Sequence, residues 1–427
     1  MTRPCRPSHQ PNALSTSRDE VVSMKRAMLL LLFTLPAWIA PVPSGPEDES
    51  VFVKNLRPDQ RESLLYVWTS DADAKQPDFL TVVDVDPKSP RYGKILTTVP
   101  TGSTVDNEAH HFGYTVNADR IFAGGLISNR LFIYDVKTDP QHPKLIKTIP
   151  DLGALSGYTG PHTYYAVPGG VMIAMLGSKD GTGPGALIRL DEQGNFVSAL
   201  PAPNRPDDPG YMYDVGVKPE LNRMVTSSWT HPHHFRANPI APENVGDAVV
   251  VWDWKAGTVL QVEHLDKMPL EVRWQHGPAA RGGFINCAGA STIWYWEDKD
   301  GKVAFSRVIQ LPANSTPADV RISYDNRLLY VSLFSGNAVQ QYDVADPLHP
   351  KFVSEVKLQE PNMMKLTPDS RRLYVSNSLL SNLDGKVPFR VWLLNVGTGG
   401  MTLDDKFVVD FDQFPTGAGR PHDMLLK

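Results

Sequence analysis

Short apolar runs of four to seven residues recur along the whole chain, rich in Val, Ile, Leu, Phe and Tyr and separated by Gly, Pro, Asn and Asp. Runs of this length and composition between turn residues predict antiparallel strands. Residues 110–149 show the unit: HHFGYTV, the turn NADR, then IFAGGL, LFIYDV and KLIKTI, four strands in forty residues. No unit carries a helix-period run of useful length.

The unit repeats. LFIYDVKTDPQHPKLIKTI (131–149) parallels VQQYDVADPLHPKFVSEV (339–356), and weaker copies lie at 80–87, 186–194, 249–257, 293–301 and 391–399. The polar residue closing each strand is Asp84, Asp135, Asp191, Asp253, Glu297, Asp343 or Asn395, at spacings of 51, 56, 62, 44, 46 and 52. Seven four-stranded units of this period predict an all-β, seven-bladed β-propeller. The first unit (62–99) holds only three strands, and RPHDMLLK (420–427) is one strand in excess. The C-terminal strand is therefore expected to join the first blade and close the ring.

Met24-Lys25-Arg26 followed by the apolar run Ala27–Ala40 has the form of a secretory signal peptide, too short for a membrane span. We expect residues 1–44 to be leader and signal, with cleavage near Ser44, residues 45–427 to be one propeller domain, and the mature protein to be periplasmic, without stable membrane insertion.

Composition narrows the chemistry. Of 427 residues, 69 are Gly or Pro, which suits many turns and excludes a long-helix bundle. Beyond residue 44 there are 37 basic and 45 acidic residues, and no basic stripe that would suggest nucleic-acid binding. One cysteine, Cys287, remains beside eleven histidines, so an intrachain disulfide or a four-Cys zinc site is excluded. Cys287, in an apolar run, reads as a packed thiol.

The innermost strand of each blade lines the channel, so equivalent positions converge. Aligned on the following turn, His111 and His162 fall at the start of two such strands, and His422 begins the closing one. Glu271 and Asn362 take the same position in blades five and seven, and Asp319 in blade six is one residue off. His110 points the other way in a regular strand, and a bulge would bring it inward. Converging imidazoles suit Cu, Zn, Fe or Ni; the alternative is hydrogen bonding between blades. His276 sits near the end of its strand. His142 and His349 occupy matching outer turns, and His264 ends an outer strand; all three read as structural. His231, His233 and His234 lie in an insertion (229–247) that either binds metal, covers the channel or is a solvated loop.

Several stretches are specific: HHFGY (110–114), PHTYYAVPGGVMIAMLGSKDGTGPGALIRLD (161–191), VVVWDW (249–254), PLEVRWQHGPAARGGFINCAGASTI (269–293), DVRISYDNRLLYVS (319–332), QYDVADPLHPK (341–351) and LTPDSRRLYVSNSL (366–379). Through them the chain resembles the selenium-binding protein family, which includes bacterial methanethiol oxidases. The resemblance implies a copper-dependent oxidase converting methanethiol, oxygen and water to formaldehyde, hydrogen sulfide and hydrogen peroxide. It implies His110, His111, His162, His276 and His422 as metal residues. Val116-Asn117 stand where longer vertebrate-type members have cysteine, which weakens any selenium role based on that residue. Glu271 and Asp319 are the expected catalytic carboxylates, to orient ligands or accept a proton. One copper passes one electron whereas peroxide needs two, so a second redox partner is left open, as is a homo-oligomer. Three other readings remain: a non-catalytic periplasmic propeller binding copper, or selenium and thiols; a calcium-dependent lactonase, which would want carboxylates and Asn where His111, His162 and His422 fall; and a protein-interaction scaffold.

Overall fold

The computed structural model describes residues 50–427 apart from 55, 58 and 206–209. The leader expected at 1–44 lies outside the described residues. The rest is seven four-stranded antiparallel sheets, each ordered from the channel outward. The innermost strands of blades one to seven are Gly419–Leu426, Ala109–Tyr114, Tyr158–Val167, Val215–Lys218, Pro269–Trp274, Pro317–Ile322 and Met364–Leu366. Blade one is the exception in chain order: its inner strand comes from the end of the ring and pairs with Leu64–Asp71. The expected closure is thus present. One five-residue helix, Leu152–Ser156, links blades two and three.

The marker residues act where the chain turns. Asp135 Oδ1 accepts the Lys137 and Thr138 N–H groups at 2.8 and 3.0 Å, Asp191 Oδ1 those of Gln193 and Asn195 at 2.9 and 2.8 Å, and Asp343 Oδ1 that of Ala345 at 2.9 Å. A side-chain carboxylate that caps backbone N–H groups two to four residues on sets the turn to the outer strand. That is why the repeat is legible as an acid after an apolar run.

The core lies between blades. Seven apolar clusters each join two neighbouring sheets, blade seven to blade one included. Outer strands alternate, as in Lys144–Ile149, whereas inner strands are buried throughout. An inner strand covered on both faces is where polar side chains survive only with partners. Across the closure Arg372 of blade seven meets Glu62 with Nε–Oε1 and Nη2–Oε2 distances of 2.6 and 2.7 Å, and the Tyr374 hydroxyl adds 2.9 Å. A two-pronged guanidinium–carboxylate pair fixes angle as well as distance.

Cys287 closes the second strand of blade five, fully buried, and burial pushes its thiol pKa up. This is a packed thiol, as the sequence suggests. His142, His349 and His264 sit on outer edges against Asp139, Asp346 and Asp247 at 3.0, 2.9 and 2.8 Å.

Candidate metal centre

The inner strands share one irregularity. In blade two, His110 and His111 together face the single residue Gly124; in blade three His162 and Thr163 face Ala174; in blade one His422 and Asp423 face Trp68. Blades five and six repeat it at Leu270–Glu271 and at Ala318–Asp319. Two residues against one is a β-bulge, which turns consecutive side chains toward the same side. The bulge therefore brings both His110 and His111 to the channel. It also shifts the alignment by one: His110, not His111, is the equivalent of His162 and His422. Counting from the following turn misses this, because the inner strands end at different points. His111 belongs to the next position, with Asp423, Thr163, Glu271 and Asp319.

Four imidazoles meet there, each at most 4% exposed. One ring nitrogen each from His110, His111 and His422 lies within 4.8 Å of the others. The His110 ring stacks on His422 at 3.8 Å between centroids, and His162 lies 4.8 Å from His110 and 4.3 Å from His111. The hydrogen bonds decide the tautomers. His111 Nδ1–H donates to Asp423 Oδ2 (3.2 Å), and His422 Nδ1–H to the Ser378 carbonyl (2.8 Å). His162 Nδ1–H donates to Thr163 Oγ1 (3.2 Å), whose hydroxyl donates to the Tyr213 carbonyl (3.3 Å). His162 Nε2 is then an acceptor, and His110 Nε2, 3.1 Å away, must donate to it. What remains is a lone pair on each of His110 Nδ1, His111 Nε2 and His422 Nε2, and none of the three has a hydrogen-bond partner among the described residues.

Three buried lone pairs without a donor are costly in a protein interior, and a transition metal satisfies all three. Burial and the neighbouring imidazoles hold His110, His162 and His422 well below the usual histidine pKa, which keeps them neutral. His111 and Asp423 form a carboxylate–histidine pair of the kind that orients a metal-ligating ring. In this arrangement His162 supports His110. Among the described residues no second group of His, Cys, Asp or Glu converges in this way.

Around the histidines, Arg420 bonds Glu108 at 2.7 Å and approaches Asp384 at 3.5 Å. Asp384 accepts the Ser378 hydroxyl at 2.8 Å and the Leu379 N–H at 2.6 Å, holding the segment whose carbonyl orients His422. The insertion covers this mouth. Tyr213 packs at a tilt on His162 at 3.8 Å, Trp229 meets Tyr213 edge-on at 5.7 Å, and Phe235 stacks on Trp229 at 6.1 Å. Leu126, Leu176, Leu270 and Leu380 join the same apolar cluster. His231 packs against Tyr211 at 4.2 Å, so it belongs to this cap and lies outside the converging group.

Glu271 and Asp319 gather, together with Asp214, around Arg273. Arg273 bonds Asp214 at 2.7 Å, pairs with Glu271, and lies 3.4 Å from Asp319. Asp319 Oδ1 also accepts the Val320 N–H, and Oδ2 accepts the Met364 N–H and Arg321 Nε at 2.8 and 2.9 Å. These contacts make Asp319 a joint between blades six and seven. The Asn362 Nδ2 amide donates to the same Ser378 carbonyl and lies 3.2 Å from His422 Nδ1, so Asn362 does reach the histidines.

His276 is not brought to this group. It sits past the far end of its inner strand, with Nε2 3.1 Å from the Ile322 carbonyl and its ring 4.3 Å from Tyr324. Burial pushes its pKa down to about 4. The folded chain refuses a proton that the unfolded chain accepts from about pH 6.5 downward, so this residue's contribution to stability is complete above pH 6.5 and lost as pH falls toward 4. His276→Gln should flatten that acid arm, read as the difference between urea midpoints at pH 7 and pH 4.5. An unchanged difference would place the acid sensitivity elsewhere.

Comparison with known proteins agrees with this architecture. Residues 53–427 match the family described as 56kDa selenium binding protein (SBP56). A methanethiol oxidase of Hyphomicrobium is 33% identical over 428 residues, covering 95% of this chain and 96% of that protein. One from Ruegeria pomeroyi is 31% identical, covering 85% and 89%. The X-ray structure of a hypothetical selenium-binding protein from Sulfolobus tokodaii superposes with a TM-score of 0.80 at 28% identity, covering 87% of this chain and 95% of that one. A seven-bladed ring closed by its C-terminal strand, and sequence similarity along nearly all of it, lead to one assignment: the chain belongs to the selenium-binding protein family.

Proposed function

We propose that the protein is a copper-dependent methanethiol oxidase, exported to the periplasm, that turns methanethiol, oxygen and water into formaldehyde, hydrogen sulfide and hydrogen peroxide. The observation that carries this reading is the set of three buried imidazole lone pairs on His110, His111 and His422 beneath an apolar cap. The names of the Hyphomicrobium and Ruegeria relatives support the substrate. Copper, when bound, supplies a soft centre for the thiolate sulfur and a one-electron couple toward oxygen. The protein's own part is to hold the imidazoles in one tautomer through Asp423, Ser378 and His162. The cap of Trp229, Phe235 and Leu380 offers a small apolar surface suited to a methyl group and keeps bulk water out. Glu271, paired with Arg273 below Tyr213, is the carboxylate we assign to proton transfer.

The test is copper content of the purified full chain together with oxygen uptake on methanethiol. About one copper per chain with thiol-dependent uptake supports the reading; copper without uptake would leave a metal-binding propeller, and absence of copper would remove the site. The cap makes a narrower prediction. Trp229→Ala should raise the kcat/KM of ethanethiol relative to methanethiol by about tenfold, the range expected for one methylene in an apolar pocket. An unchanged ratio would mean that the cap does not select the substrate.

A further inference from the structure

The four histidines are at most 4% exposed, so a molecule that reaches them passes something that moves. The segment over them has the build of a lid. It leaves blade four after Arg223–Thr226 and re-enters it before Ala248–Asp253, and its two ends are tied together. The Gly246 N–H donates to the Trp229 carbonyl at 2.7 Å, and the Thr230 hydroxyl to the Asn244 carbonyl at 2.7 Å. A loop closed at its neck in this way is a compact Ω-loop that can move as one body.

The two sides of this loop are held differently. One side is seated on blade three. Pro232 lies against Gly160 and Gly177, where a Cβ would come within 3.0 and 2.7 Å of the proline ring, and the His233 N–H donates to the Gly181 carbonyl at 3.3 Å. Glycine is what lets the ring approach this closely. The other side reaches blades two and seven through polar contacts at the surface. Asn382 Nδ2 donates to the Arg236 carbonyl at 3.0 Å, Asn238 Nδ2 donates to the Asn382 carbonyl at 3.3 Å, and the Arg236 guanidinium stands 3.6 Å from Asp106. The Arg236 and Asp106 side chains are 56% and 41% exposed, and a solvated pair of this kind holds weakly. Trp229 and Phe235, each 4% exposed, form the inner face toward Tyr213 and His162.

We propose that residues 230–244 are a lid hinged on blade three and latched to blades two and seven by Arg236, Asn238 and Asn382, and that its opening on the latch side admits small uncharged molecules to the histidines. Its inner face is apolar, so a neutral molecule passes it at little cost, whereas an ion would shed its water against aromatic rings. A neutral thiol as the molecule admitted rests on the oxidase reading; the lid and its latch do not.

Diethyl pyrocarbonate, a small neutral reagent that acylates unprotonated imidazole, tests the route on the purified full chain after a chelator has removed any metal. The lone pairs of His110, His111 and His422 are its targets, and His142 and His349, with side chains 66% and 79% exposed, are the reference. Peptide mass spectrometry reads the initial rate at each histidine, and amide hydrogen exchange reads the opening of residues 235–244. Asn382→Ala and Arg236→Ala should each raise both the channel-histidine rate and the lid exchange about two- to fivefold, the effect of one lost surface contact, with the reference rate and the thermal midpoint unchanged. Arg236→Cys combined with Asn382→Cys, in a Cys5→Ser chain, allows a thiol cross-linker to bridge the latch, since Cys287 is fully buried. Bridging should slow the channel histidines about tenfold by blocking local opening. Channel histidines that react equally fast with and without the bridge overturn the proposal, as does a lid that exchanges faster in the alanine variants without faster acylation beneath it. Absence of copper or of oxygen uptake would remove the oxidase reading and leave these rates as they are.

Discussion

Replacing His422 by alanine removes the metal from the channel and abolishes thiol-dependent oxygen uptake. The reasoning is one of lone pairs. His422 Nε2 is one of three imidazole nitrogens left unsatisfied by the protein, and its ring stacks on His110, so its loss removes a donor and frees a neighbour at once. His110→Ala and His111→Ala should behave alike, each leaving less than a tenth of the wild-type copper after dialysis. The supporting residues should be graded. Asp423→Asn keeps all three donors but weakens the acceptor of His111 Nδ1–H, and His162→Ala removes the acceptor of His110 Nε2–H. Loss of such partners costs about ten- to a hundredfold in metal affinity. Copper affinities measured by competition with a chelator check the series. Equal collapse at His162 and His422 would make His162 a fourth ligand, and intact copper in His422→Ala would move the site.

A chain ending at Ala418 should yield no soluble, closed protein. The lost strand, Gly419–Leu426, is buried along its whole length. Met424, Leu425 and Leu426, each at most 3% exposed, account for about 5–9 kcal/mol of apolar burial at roughly 1.5–3 kcal/mol per side chain. That is comparable to the whole stability of an ordinary domain, about 5–15 kcal/mol. Backbone links go too: the Tyr114 hydroxyl loses the Leu426 carbonyl at 3.0 Å, and Leu64 N–H loses that of Lys427 at 2.9 Å. Leu64–Asp71, eight buried residues, becomes an open sheet edge, which invites pairing between molecules. Size-exclusion chromatography after expression is the check. A monomeric, folded truncation would show that the ring holds without its clasp. By contrast, Phe352→Ser on an outer strand, 57% exposed, should leave the elution unchanged.

The blades were legible because the strands are short and apolar and the third of each blade carries a polar marker, an acid in six of the seven. The closing strand was legible from a deficit at one end and a surplus at the other. The histidines were legible as a converging set. Their correct register was not, because a bulge adds a residue without any mark in composition. His110 therefore looked like the residue facing away. Asp423 is hidden for the same reason: in a regular strand it would point away from His422's face. Similarity places His276 in the metal set, whereas the strand runs on from Glu271 to Trp274 and His276 lies beyond its end. Arg273 gave no signal of its own; a buried guanidinium among three carboxylates exists only once blades four, five and six are side by side. The cap depends on an insertion whose aromatic residues, Trp229 and Phe235, have no strand period and find their partners only over the mouth.

The clasp also carries a ligand. His422 and Asp423 lie in the strand that closes blade one, while His111, which Asp423 orients, stands 312 positions earlier in the chain. During synthesis the first six inner strands are complete before this one exists. A nascent chain therefore holds two of the three donors and none of the circle. A metal held by all three would thus be retained only by a molecule whose ring has shut, and its binding would in turn favour the shut ring over every open form.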